Sequence, residues 1–386
     1  MQSGLWLVPV CYLLQLFPQL LVVAVFISTA CLWLSHRFAT TYSSFFTPAY
    51  KELIKKQRLR FVVIPAIAFL ATLTFSLMPL EIIGLTPLQK LEILGVLFFL
   101  INTYHFGVQH YGVLSIYRIR AGQSTTELFK RYERWFCLTL GGIFVAIAQI
   151  GHGADIVRDT IGLSPEGSGS NGGSLWSENS RVHEFVNFVT NIYYSSRMVF
   201  VILILAMLLV ILLHELKDER RSLPKILYML GVSMQSILAF YLTPAAFFLL
   251  WSVQHWLVSV ALAAHMAENT EVGSDIENSW YKCWEKMNKS FSLVASFLFG
   301  ISFILSPFFI YPEKFLHNQE NQVLYSYIRS LIPSMDAEPV LLLFMGLNFA
   351  SGFVHFLLDR AVFRFSDKET RGVTGKLLFV PRTGSN

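Results

Sequence analysis

The histidines that could do chemistry fall inside long apolar stretches: His36, His105, His110, His255, His265 and His355, with Asp359 one helical turn beyond the last. An imidazole in hydrocarbon needs a partner, because no water is there to satisfy its ring nitrogens. One partner can serve several imidazoles together, namely a metal ion, for which neutral histidine is the commonest ligand. Helical spacing sorts the candidates. At about 100° per residue, His105 and Gln109 lie roughly 40° apart on one face, whereas His105 and His110 lie roughly 140° apart and do not easily share an ion. His105 is the favoured member of that pair, with Gln109 placed to hold the imidazole or a water. His355 and Asp359 share a face, as a ligand pair or as a ligand whose tautomer the carboxylate fixes. His255 and His265 are separated by about 15 Å of helix rise, too far for one mononuclear centre, and His255 is favoured because His265 nears the end of its apolar stretch.

The elements that must position these residues are membrane helices. Hydrophobic residues make up 54% of the 386 and charged residues 14%, which excludes an ordinary soluble domain. Apolar stretches long enough to cross about 30 Å of hydrocarbon recur through the chain, and they predict an all-α, single integral membrane domain over 1–386. Nine spans are expected, at 8–36, 60–82, 89–117, 134–154, 197–215, 224–243, 244–267, 290–311 and 340–364. Lys and Arg concentrate in Lys51–Arg60, Arg118–Arg134, Lys217–Lys225, Lys282–Lys289 and Arg360–Arg382, while the alternate connections are poor in them. The positive-inside rule then places the N-terminus outside and the C-terminus inside at every crossing. The net charge of +5 follows from this asymmetry and gives no reason to expect nucleic acid. Residues 158–180, with SPEGSGSNGGS at Ser164–Ser174, read as a flexible outer loop, 366–386 as a cytoplasmic tail, and Arg181–Tyr194 as an interfacial helix. The N-terminal segment lacks a basic region and a cleavage site, and reads as a retained first span. Prolines Pro9, Pro18, Pro65 and Pro307 predict kinks.

With that topology His36, His105, His255 and His355 share an inner layer of the membrane, on four separate helices. Four neutral nitrogens without a thiolate fit Fe(II), and less distinctively Zn or Cu. Each histidine also has a plainer reading as an interhelical hydrogen-bonding residue, and His36, beside Arg37 at the expected end of its span, as an interfacial one. His152, His183, His214 and His317 read as structural or surface residues. Cys11, Cys31, Cys137 and Cys283 lack metal-site spacing and read as packing residues, and Arg360 as a snorkelling residue or the partner of Asp359. No phosphate-binding loop, nucleophile elbow, HExxH or desaturase-type histidine box is present. The 34 Phe and 15 Tyr suit either ordinary packing or the lining of a pocket for a long apolar substrate.

Four segments in order carry a resemblance to a known family: Leu34-Ser35-His36, His105-Phe106-Gly107, Tyr241-Leu242-Thr243-Pro244 leading to His255, and His355-Phe356-Leu357-Leu358-Asp359 followed by Phe363-Arg364. Together they resemble the Brp/Blh-type membrane β-carotene 15,15'-dioxygenase family. The chain departs from that pattern twice. SHRFATT stands where the family has PHGxxD, and Ser259 stands where the family has a histidine four residues after the one matched by His255; His110 and His265 are the nearest substitutes.

The resemblance implies a membrane-embedded, non-haem Fe(II) oxygenase in a bacterial inner membrane, with His36, His105, His255 and His355 as metal ligands and Asp359 and Gln109 in catalytic supporting roles. Its partners would be O2 and a lipophilic polyene or lipid drawn from the bilayer, as in carotenoid cleavage to retinal. Two other classes compete: a proton- or metal-ion-coupled transporter using the same polar residues, and a bis-histidine haem protein with His105 and His255 as axial ligands. Zn is the alternative metal to Fe(II).

Overall fold

A computed structural model describes residues 3–160, 180–270, 279–310 and 337–379. Among these residues all regular structure is helical. In chain order the helices are α1 (Ser3–Leu14), α2 (Pro18–Phe45), α3 (Lys51–Lys56), α4 (Ile64–Leu77), α5 (Leu80–Ile83), α6 (Pro87–Arg120), α7 (Glu127–Leu138), α8 (Val145–Thr160), α9 (Ser180–Lys217), α10 (Leu223–Leu238), α11 (Pro244–Glu268), α12 (Ser279–Asn288), α13 (Phe291–Ile310), α14 (Ala337–Val362) and α15 (Lys368–Phe379). π-helical turns at Leu59–Val63 and Thr139–Phe144 lead into α4 and α8. The first precedes Pro65, which has no N–H to continue the regular ladder; the second contains the pair Gly141-Gly142. The expected loop at 158–180 apart from its ends, His317, most of the connection 312–339 and the tail beyond residue 379 lie outside the described residues, as does the side chain of His183.

Among the described residues, seven helices are long and apolar enough to cross a membrane: Pro18–Phe45, Leu59–Leu77, Gln89–Arg120, Glu127–His152, Thr190–Lys217, Pro244–Glu268 and Leu342–Val362. They mark the chain as an integral membrane protein. An eighth candidate is the pair Trp280–Asn288 and Phe291–Ser306, bent by 110°. A helix lies at each of the nine expected positions, but α10 has only 16 residues, a length of about 24 Å, and does not by itself reach across about 30 Å of hydrocarbon.

Three sequence expectations are corrected. The stretch 8–36 is not one helix. The ladder breaks between Leu14 and Pro18, and α2 then continues to Phe45, which puts His36 well inside a helix instead of at its end. The interfacial helix at 181–194 and the span at 197–215 are one helix of 38 residues, about 57 Å long, because no Gly or Pro interrupts 180–217. The basic connection Lys282–Lys289 is largely occupied by α12. Its Cys283 is exposed, so the packing role expected for all four cysteines fails there, while Cys11 and Cys137 are fully buried.

The described helices fall into two compact units, one comprising Met1–Val23 and Thr103–Gln254, the other Ala24–Asn102 and His255–Asn386. In the first, α6 meets the turn into α8 at very short range. A Cβ on Gly142 would lie 2.6 Å from the Thr103 carbonyl oxygen, and one on Gly107 would lie 2.7 Å from Leu138 Cα. Small residues here let two helix backbones touch, as in other membrane bundles. The charged ends of four helices of this unit are tied together by a buried network. Arg118 pairs with Glu133, Lys225 Nζ lies 2.6 Å from Glu133 Oε1 and 2.7 Å from Glu215 Oε2, and Gln123 Nε2 and the Ser222 N–H donate to Glu215 Oε1 at 2.6 and 2.9 Å. Charges that the sequence assigns to loops are therefore compensating one another in the interior, where an unpaired one would be costly.

In the second unit, cross-helix contacts fix relative directions. His36 and Thr40 of α2 face His355 and Asp359 of α14 in the same order, so these helices are parallel. The N-terminal part of α6 also runs parallel to α14, with Leu94 beside Leu342 and Phe98 beside Phe353 and Phe356. The segment before α4 and α4 itself run antiparallel to α14: Arg60 donates to the Ala361 carbonyl at 2.5 Å and Ser76 to that of Leu342 at 2.5 Å. Likewise α13 is antiparallel to α2, with Ser302 donating to the Ala30 carbonyl at 2.9 Å and Tyr42 to Asn288 Oδ1 at 2.7 Å.

Candidate metal centre

Three helices of the second unit each deliver one imidazole to the same place. His36 comes from α2, His255 from α11 and His355 from α14, and one ring nitrogen of each lies within 4.8 Å of those of the other two. Ring centroids are 4.8 Å apart for His36 and His355, 5.2 Å for His36 and His255, and 6.2 Å for His255 and His355. All three are buried, His355 completely. The rings meet edge to face, at 82°, 66° and 79° in the same order. That leaves their nitrogens converging instead of stacking the rings away from a common point. Trp256, next to His255 on α11, stacks on His36 at 5.5 Å and closes one wall.

A carboxylate stands behind the set. Asp359 Oδ1 is 3.7 Å from His355 Nδ1, one turn along α14, and the same oxygen accepts a hydrogen bond from Thr40 Oγ1. Thr40 is itself one turn beyond His36 on α2. Two i, i+4 pairs, His36 with Thr40 and His355 with Asp359, thus oppose each other across the α2–α14 contact. A carboxylate placed against a ligand imidazole and anchored by a further donor is the arrangement that orients metal-binding histidines.

These residues fit a metal ion. Two ligands each about 2.0–2.1 Å from one ion are at most about 4.2 Å apart, so nitrogens within 4.8 Å of one another need only small side-chain movements to share it. Three imidazoles with a carboxylate beside them are donors that a metal ion can use.

Other sequence candidates are placed as follows. His105 is buried on α6 in the first unit, with its ring edge-on to Phe106, which in turn stacks on Trp251 at 3.7 Å. Gln109, a turn later, is half-buried. His110 bonds Tyr228 through Nδ1 at 2.7 Å, with Gly141 packed against its ring, so its environment is that of a buried hydrogen-bonded side chain. His265 Nε2 meets Asn269 Nδ2 at 3.1 Å. Ser259 donates to the His255 carbonyl at 3.2 Å, an ordinary intrahelical use of a hydroxyl. His152 bonds the Ala239 carbonyl at 2.8 Å and His214 stacks on Phe129 at 3.3 Å, both structural roles. Arg360 is exposed.

Sequence reasoning did not single out Thr40, Tyr228 or Trp256. For Thr40 a signal existed, its i+4 position after His36, but a hydroxyl on a helix carries little meaning until the facing helix is known. The chain has no match among protein-family models, curated proteins or solved structures.

Proposed function

We propose that the chain is a membrane-embedded non-haem metalloenzyme, an Fe(II)-dependent oxygenase acting on a lipophilic polyene or unsaturated lipid. One observation carries the reading: His36, His255 and His355, far apart in sequence and on three different helices, bring their nitrogens together in a buried site with Asp359 alongside. His36, His255 and His355 would hold the ion, and Asp359, fixed by Thr40, would set the tautomer and orientation of His355. Bound there, Fe(II) supplies reactivity toward O2 that protein side chains lack.

The chain's own residues would do the rest. The imidazoles stay neutral so that their lone pairs remain available, and the surrounding Trp256, Phe356 and helix walls exclude water. Scission of one C=C bond by O2 gives two carbonyl groups, with both oxygen atoms incorporated and no external reductant required. The resemblance to the carotenoid-cleaving family adds the substrate class and a bacterial inner membrane to this reading.

We further propose nine spans with the N-terminus outside and the C-terminus inside. The charge pattern of the connections supports it, and so do the helix directions in the second unit: α2, the first part of α6 and α14 run one way, and α4 and α13 the other, as that topology requires.

The test is expression of the full chain in a carotenoid-accumulating host together with metal analysis and an absorption spectrum of the purified protein. The reading expects bound iron and no Soret band; loss of colour with appearance of an aldehyde product would place the substrate among the carotenoids. A Soret band would move the assignment to a haem protein; bound iron without loss of colour would move the substrate to another unsaturated lipid.

A further inference from the structure

Next to His36, Arg37 is buried in the second unit and the proposed centre makes no use of it. Its Nη1 donates to the Asn348 carbonyl at 2.6 Å, to Asn348 Oδ1 at 2.7 Å and to Ser351 Oγ at 2.9 Å. All three acceptors are neutral. Among the described residues no carboxylate pairs with Arg37, whereas the buried Arg118 and Lys225 are both matched by glutamates. A guanidinium inside a membrane span without a counter-charge is expensive, which makes it a candidate ligand site; the buried Lys90 is likewise held by neutral acceptors, the Ser76 and Met78 carbonyls.

Geometry says which part of the group is available. The guanidinium lies over the face of Trp33, 4.1 Å from the ring centroid, and 5.5 Å from the Phe98 centroid. Stacking occupies a face of the plane and leaves its edges for hydrogen bonds. The three protein bonds all use Nη1, so the edge formed by Nε and Nη2, two parallel N–H donors, makes no hydrogen bond to the described residues. That edge matches the two oxygens of a carboxylate. Gly352 lets Phe98 and the guanidinium pack this closely against α14. A Cβ there would come 2.5 Å from Phe98 Cε2 and 3.4 Å from the Arg37 Cζ.

The niche is also aligned with the histidines. Asn348, Ser351 and His355 share one face of α14, with Ser351 about 6 Å and Asn348 about 10.5 Å along the helix from His355. A head group held at Arg37 would thus lie on the face of α14 that also carries His355, with the packed rings of Phe98, Phe353 and Phe356 beside it.

We propose that Arg37 is the anchor for the head group of the substrate, and that the substrate is an amphiphile: a long unsaturated chain ending in a carboxylate. The assignment deepens the oxygenase reading and rests on it for what the anchored chain is there to undergo. It narrows a lipophilic substrate to one that uses the buried cation, which a bare hydrocarbon polyene does not, and it fixes the distance between head group and reacting bond.

The test is equilibrium binding of oleate, oleyl alcohol and oleyl phosphate to the full-length protein in nanodiscs, for the unmodified chain and for Arg37→Gln and Arg37→Lys. The expected result is oleate bound at least about tenfold more tightly than oleyl alcohol, with that preference lost in Arg37→Gln and reduced severalfold in Arg37→Lys, while oleyl alcohol affinity is unchanged. Equal affinity for oleate and oleyl alcohol in the unmodified chain overturns the proposal, as does a preference that survives Arg37→Gln or a tighter hold on oleyl phosphate than on oleate. Should Arg37→Gln fail to fold, Arg37→Lys decides, because it keeps the charge and removes only the two-donor edge; oleate affinity equal to the unmodified chain's overturns the assignment. Iron measured on the same preparations is read separately. A chain that prefers oleate through Arg37 and holds no iron keeps the anchor and loses the oxygenase reading.

Discussion

At the residue scale the site is a matter of which buried polar groups face one another. Asp359 touches His355 from behind and is held by Thr40, so each removes a different part of the arrangement. Asp359→Asn keeps the shape but loses the negative charge that supports the imidazole, and metal affinity is expected to fall by about 10–100-fold. Thr40→Val removes only the anchoring donor and is expected to cost less; competition with a chelator of known affinity measures both. If Asp359→Asn holds metal as tightly as the unmodified chain, the carboxylate has no part in the site. His36, His255, His355 and Asp359 were legible in the sequence because histidine and aspartate are conspicuous in apolar helices. Thr40 and the role of Arg37 were not. Their meaning comes from the facing helix, Asp359 in one case and Asn348 and Ser351 in the other, and no periodicity within α2 reports that.

At the element scale, apolar stretches were readable and breaks were less so. Helix lies at every expected span position, yet the interruption before Pro18 and the unbroken run of α9 both depend on small local preferences that hydropathy alone does not weigh. The HFG segment acquires a physical reason: Gly107 and Gly142 let α6 and the turn into α8 approach at backbone range. Gly142→Ala sets a methyl group against the Thr103 carbonyl and is expected to destabilise the protein by about 1–3 kcal/mol, read from its unfolding in mixed detergent micelles. A wild-type unfolding curve would show that the contact yields without cost. The buried charge network makes a larger prediction. Lys225→Met leaves Glu133 and Glu215 short of a cation, and the expected loss is about 3–5 kcal/mol. An unchanged unfolding midpoint would mean that water reaches these carboxylates. The network was hidden in the sequence because its members sit in segments that read as ordinary basic and acidic connections.

At the scale of the whole molecule, the account requires one topology. Cys283 is exposed on α12, in a connection assigned to the inside, whereas Cys11 and Cys137 are buried. A membrane-impermeant maleimide should therefore label Cys283 in inverted vesicles and not in intact cells, with Cys283→Ser as the control; labelling in intact cells would reverse the orientation. The proposed topology would give the histidines a common depth, but the central claim is that three of them bind one ion. Its most direct measurement is the metal content of the purified full-length protein beside the His36→Ala, His255→Ala and His355→Ala variants. The account predicts about one iron per chain in the unmodified protein and loss of most of it in each variant that remains folded. Full-length protein without stoichiometric metal, or the same metal content in all three variants, would contradict it.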